Sequence, residues 1–203
     1  MIPDPRYSRD GLSIFSVVVG PLSNNVYVVH DQASGEGVLI DAADEHPLLL
    51  QLCGALGVDR VLQTHGHSDH IQAVAPLREA GFPIFVGAAD AAMLPGYDQV
   101  LEDRQTISVG KHRLLAMHTP GHTPGSFSFA VDGLPYLFSG DTLFPGGPGA
   151  TSFAGGDFPT IIASISTRLF TLPPETTVLP GHGAATTIGT ETPHLEEWVA
   201  RGW

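Results

Sequence analysis

Short apolar runs dominate the first forty residues. Residues 13–20, 25–30 and 37–41 alternate or run apolar with Val and Ile, and Gly, Pro and Asn separate them, which predicts three strands in an antiparallel meander. The period then lengthens: apolar residues at helical spacing from Glu45 to Leu56, closed by Gly57, predict a helix. A strand is expected over 59–64 and a helix over 70–80 closed by Gly81, with Pro76 interrupting its interior. A short strand at 83–86 and a short helix at 88–94 follow, then strands at 106–109, 112–118, 126–131 and 135–139. Beyond a Gly/Pro-rich loop at 144–158, the pattern predicts a helix over 159–171 and a strand over 176–180. A final helix covers 193–201, with Thr192 as N-cap and Pro193 at its first position. Strands followed by strand–helix units, twice over, predict two similar halves, each a mixed sheet covered by helices on one face.

Composition narrows the function classes. With 203 residues, 42% of them hydrophobic, the chain can bury a sizeable core, and its length favours one domain over 1–203. A net charge of −12 and only nine Lys and Arg argue against nucleic-acid phosphates or an anionic membrane surface as partners. The N-terminal residues lack the apolar stretch of a signal peptide, and Cys53 is the single cysteine, so a reducing cytoplasmic location is expected. Cys53 lies in a Leu-rich helix and reads as a small buried hydrophobe.

The chemistry concentrates in four turns, each placed directly after an apolar strand. The first, His65-Gly66-His67-Ser68-Asp69-His70, packs three imidazoles and a carboxylate into six residues, the ligand types that bind zinc and similar ions. The others are Thr119-Pro120-Gly121-His122-Thr123-Pro124-Gly125-Ser126, Ser139-Gly140-Asp141-Thr142 and Leu179-Pro180-Gly181-His182-Gly183. His65, His67, Asp69, His70, His122, Asp141 and His182 are too many ligands for one tetrahedral ion and suit two ions sharing a carboxylate. One ion would take His65, His67 and His122, the other Asp69, His70 and His182, with Asp141 between them.

These four motifs, in this order, resemble the metallo-β-lactamase superfamily and, within it, the hydroxyacylglutathione hydrolase (glyoxalase II)-like branch. The resemblance implies an α/β fold, an αβ/βα sandwich of two mixed β-sheets flanked by helices, with a dinuclear site at one edge of the sheets. It also implies that Asp41 supports the metal-binding histidines from behind. Two divalent ions are expected, zinc first, with iron or manganese as alternatives. The implied reaction is attack by a metal-activated water on the carbonyl of a small thioester or ester, with Asp69 and Asp141 as the catalytic residues. Other reactions borne by similar proteins are persulfide oxidation at one iron held by His65, His122 and Asp141, and lactone hydrolysis.

The chain departs from that branch in places. It ends twenty-one residues after His182, short of the helical segment that supplies glutathione-binding basic residues there. The branch's Gly-x-Gly-Arg-x-Asp loop reads Gly147-Pro148-Gly149-Ala150-Thr151-Ser152, which makes the adjoining pocket less polar. Outside the motifs, His30, His46, His112 and His194 read as surface or internally satisfied histidines, and His118 as a candidate support for the site. Phe144, Phe153 and Phe158 flank the glycine loop as packing residues or the walls of an acyl pocket. Trp198 and Trp203 are expected to anchor the last helix or a homodimer contact.

Overall fold

The computed structural model describes residues 3–202. The expected meander forms a sheet that takes its strands in chain order: β1 (Tyr7–Arg9), β2 (Leu12–Val19), β3 (Asn24–Asp31), β4 (Gly37–Ile40), β5 (Val58–Leu62), β6 (Ile84–Gly87) and β7 (Gln99–Leu101). The first four pair antiparallel through tight turns, and β4 to β7 pair parallel, because helix α1 (His46–Ala55), helix α2 (Val74–Glu79) and, before β7, a segment with one 3-10 turn carry the chain back between them. The second sheet is also mixed. It contains β8 (Thr106–Val109), β9 (His112–His118), β10 (Phe127–Val131) and β11 (Tyr136–Gly140), which pairs parallel with β14 (Thr177–Pro180), edged by β15 (Thr186–Thr187). A small hairpin, β12 (Leu143–Phe144) with β13 (Gly147–Pro148), interrupts the glycine-rich loop.

Three apolar layers hold the sandwich. Between the sheets lie Leu12, Ile14, Phe129 and Phe138, with the Phe138 ring 5.2 Å from that of Tyr27. Leu49, Leu52 and Leu77 of the helices cover the outer face of the first sheet. Helix α3 (Phe158–Ser164) and helix α5 (Leu195–Arg201) cover the second through Ile161 and Trp198. Each side chain buried this way contributes about 1.5–3 kcal/mol. Cys53 is buried in the first layer, as its sequence context predicts, and burial pushes its thiol pKa up to about 12.

Several elements differ from the sequence expectation for local reasons. The helix expected at 70–80 starts at Val74, because Gln72 and Ala73 first donate their N–H groups to the carbonyls of Ala43 and Ala42. Pro76 therefore falls in the first turn, where a missing N–H costs no helical bond. Of the helix expected at 88–94 only a single 3-10 turn, Ala91–Met93, forms. Thr192 is not an N-cap. Helicity begins earlier, at helix α4 (Ile188–Glu191), where the Thr187 side chain accepts from the Thr190 amide at 3.1 Å. Strands β1, β7 and β15 are two or three residues long, too short to leave a periodic signal. Trp203 lies outside the described residues; Trp198, 1% exposed, packs its ring 6.1 Å from Phe170. No helix among the described residues is long and apolar enough to cross a membrane.

Candidate metal centre

Parallel pairing decides where the ligand turns fall. Strands β4 and β5 run side by side, so Asp41 and the segment from Thr64 to His70 emerge at the same edge. In the second sheet β11 and β14 do the same for Asp141 and His182, and the turn after β9 carries His122 to that edge. The sheets are joined there: Phe127 N donates to Thr64 O at 2.7 Å, Asn25 N to Gly181 O at 2.7 Å, and Tyr27 Oη to Pro180 O at 2.8 Å. All seven histidine and aspartate residues expected at the site are brought together.

They fall into three overlapping groups suited to a metal ion: His65, His67 and His122; Asp69, His70 and His182; and His65, His70 and Asp141. His67 Nδ1 lies 2.9 Å from His122 Nε2, and His70 Nε2 lies 3.2 Å from His182 Nε2. Asp69 Oδ2 is 3.2 Å from His182 Nε2, while Asp141 reaches both sides, 3.5 Å from His70 Nε2 and 3.7 Å from His122 Nε2. Ligand atoms at the corners of a tetrahedron with metal bonds of 2.0–2.1 Å stand about 3.4 Å apart, so these spacings fit a cation. The hydrogen bonding agrees. His65, His70, His122 and His182 each use Nδ1 outward, toward Thr64 Oγ1, Asp41 Oδ2, Ala150 O and Leu22 O respectively, which leaves each Nε2 lone pair facing inward. His65 Nε2 and Asp141 Oδ1 are buried without a hydrogen-bond partner, a costly state for polar atoms that a metal would relieve.

Asp41 stands behind this cluster as the motif predicts. It occupies a left-handed backbone conformation (φ 64°), which aims its carboxylate at the Thr64 amide (2.7 Å), the Thr64 hydroxyl (2.8 Å) and His70 Nδ1 (2.8 Å). Three further supporting residues belong to no motif. Asn24 Nδ2 donates to Asp69 Oδ2 at 2.8 Å. Gln63 accepts from the Ala42 amide and donates to His70 O, both within 2.8 Å. Asp90, fully buried, accepts from Gly66 N and Gly125 N. Their only trace in the sequence is a polar residue inside an apolar segment. His118 does not reach the cluster: its Nε2 bonds to Pro124 O at 3.0 Å and its ring lies on Phe127, so it braces the turn that carries His122.

Burial and crowding divide the histidines electrostatically. Burial and the neighbouring imidazoles hold His65 well below its ordinary pKa, and burial with His122 lowers His67. His70 moves the other way: burial opposes its charge, but Asp141, Asp41 and Asp69 outweigh it and raise it to about 9. The hydrogen bond to Asp69 raises His182. Although burial works against its charge, His182 and Asn24 hold Asp69 well below the usual carboxylate range.

Beside His122 and Asp141 opens a recess of about 410 Å³, walled by Phe144, Pro145, Pro148 and Phe153. Phe158 is not part of that wall and packs against the apolar layer under helix α3.

A four-layer sandwich with a His/Asp cluster at the sheet edge defines a class of metal-binding proteins. Residues 19–182 match the sequence profile of the metallo-beta-lactamase superfamily, and the chain belongs to that superfamily. It is 31% identical over 202 residues to hydroxyacylglutathione hydrolase GloC of Haemophilus influenzae, covering 89% of this chain and 95% of that protein. It is 35% identical over 196 residues to the probable metallo-hydrolase YqgX of Bacillus subtilis, covering 85% and 91%. Among solved structures, the protein TTHA1623 in a di-iron-bound form superposes with a TM-score of 0.77 at 37% identity, over 88% of this chain and 96% of that one.

Proposed function

We propose that this protein is a dinuclear metal hydrolase of small thioesters or esters. The observation that carries the proposal is the pair of complete ligand triads, one on each side of Asp141. His65, His67 and His122 would hold one ion and Asp69, His70 and His182 the other, zinc by donor set, with iron or manganese as alternatives. Ions bound by these residues would supply Lewis-acid chemistry, activating water and stabilising negative charge on an attacked carbonyl.

The residues do the rest. Asp41 and Thr64 hold His70 and His65 through their Nδ1 atoms, with Nε2 turned toward the other ligands. Asp69, its side chain 23% exposed against 11% for Asp141, is the more open carboxylate. Its lowered pKa keeps it anionic, so it orients a water by accepting a hydrogen bond. Ala150 and Ser152, in place of the branch's loop Arg and Asp, speak against chemistry at one iron held by His65, His122 and Asp141.

Metal analysis joined to a thioester, ester and lactone screen tests the proposal. Two ions per chain with turnover that a chelator abolishes is the expected result. A protein that binds two ions and hydrolyses no member of the screen overturns it.

A further inference from the structure

Three large apolar side chains stand exposed next to the turns that carry the metal-ligand residues. Phe153, 57% exposed, sets its ring edge-on to His67 at a centroid distance of 5.5 Å. Leu22, 62% exposed, belongs to the turn whose carbonyl receives His182 Nδ1. Met93, 43% exposed, crowds Gly66 so closely that a Cβ there would lie 3.0 Å from its sulfur. Of these, Phe153 lines the recess beside His122 and Asp141 together with Phe144, and large apolar side chains left in water beside a reactive centre mark a surface that a ligand covers.

Charge points the same way. Among the described residues, no Arg or Lys lines the recess, and Ala150 presents no charge where it closes the wall. Arg60, Arg78, Arg113 and Arg168 are instead paired with Asp59, Asp98, Asp132 and Asp103. The chain as a whole carries −12, and Glu45 stands at the turn that holds Leu22, accepting from Gly20 N. A substrate arm bearing carboxylates would lose its water here and find no counter-charge.

Resting on the hydrolase assignment above, we propose that the site takes thioesters whose thiol arm is apolar and uncharged, aryl or alkyl in character, in preference to thioesters of glutathione. Phe153 and Phe144 form the contact surface for that arm. In the reaction the acyl carbon gains the oxygen of water and loses sulfur, and the departing thiolate takes the proton, so the products are a carboxylic acid and a neutral apolar thiol.

Binding and turnover are read separately on the metal-loaded protein. Calorimetric titration with benzyl mercaptan and with glutathione compares the arms directly, because the shared thiol cancels. Benzyl mercaptan is expected to bind at least about tenfold more tightly, and Phe153→Ala to remove about tenfold of that affinity without changing metal content. Hydrolysis of an S-benzyl thioester should exceed that of lactoylglutathione by a similar factor, with the Phe153→Ala loss falling on KM. Glutathione binding as tightly as benzyl mercaptan overturns the inference. Tighter benzyl mercaptan binding with no hydrolysis of any thioester, ester or lactone in the screen leaves the apolar subsite standing and sinks the hydrolase assignment instead.

Discussion

Asp90 and Gly125 are in contact: the carboxylate accepts from the glycine amide at 2.8 Å, and a Cβ at Gly125 would stand 2.5 Å from Oδ1. The other oxygen accepts from Gly66 N at 2.9 Å and from the Thr123 hydroxyl at 2.6 Å. One fully buried acid thus ties the turn carrying His65 and His67 to the turn carrying His122. Gly125 has to be glycine because Asp90 leaves no space for a side chain there, and at Gly66 a Cβ would meet Met93 at 2.9 Å and Asp90 at 3.1 Å.

Asp90→Asn places an NH2 group against N–H donors and breaks this tie. The expected result is a loss of about 10–100-fold in affinity for the first ion, with the second ion retained. Unfolding free energy should fall by about 1–3 kcal/mol. Chelator competition on the two sites in turn checks it; an unchanged first-site affinity would refute the positioning role.

Asn24→Ala should weaken the other site. Without the 2.8 Å donor, Asp69 is free to rotate out of line with His70 and His182. Affinity for the second ion is expected to drop about tenfold while the first is unaffected, read from a two-step metal titration.

In the metal-free protein, His70 predicts a pH-dependent stability. Its pKa is raised from 6.5 to about 9, so its contribution is complete below pH 6.5 and lost as pH rises toward about 9. His65, lowered from 6.5, acts oppositely: the unfolded chain gains a proton there, and stability falls as pH drops below 6.5. The stripped protein should therefore show a thermal midpoint that declines from pH 6.5 to 9, and His70→Gln should flatten that decline. A midpoint that rises over the same range contradicts the assignment.

Trp198→Ala tests whether the last helix is structural. The ring is 1% exposed and lies on Phe170, so truncation should cost about 3–5 kcal/mol, measured by urea unfolding of the metal-loaded protein. Metal content of the folded fraction should not change.

Strong periodicity makes β2, β3, β9, β10 and α1 legible in the amino-acid sequence, to within one residue at their ends. Weak elements are not. Strand β7 is three residues with two exposed, and helix α2 starts late because two amides are claimed by Ala42 and Ala43 across the fold. Thr192 followed by Pro193 has the appearance of a helix start, yet the helix is already running when it reaches them.

By itself the sequence determined the seven ligand-type residues and the order of their turns, because each sits in a local Gly- or Pro-bounded motif directly after an apolar strand. The split into two triads about Asp141 was legible as well, and the structure brings both triads together; only the tertiary structure decided which atoms touch. His70 meets His182 across 112 positions of chain, and Asn24 meets Asp69 across 45, distances at which no local pattern constrains a partner. The same holds for Asp90 under the two histidine turns and for Phe153 beside His67. Long-range sheet pairing, not local propensity, brings those surfaces to one edge.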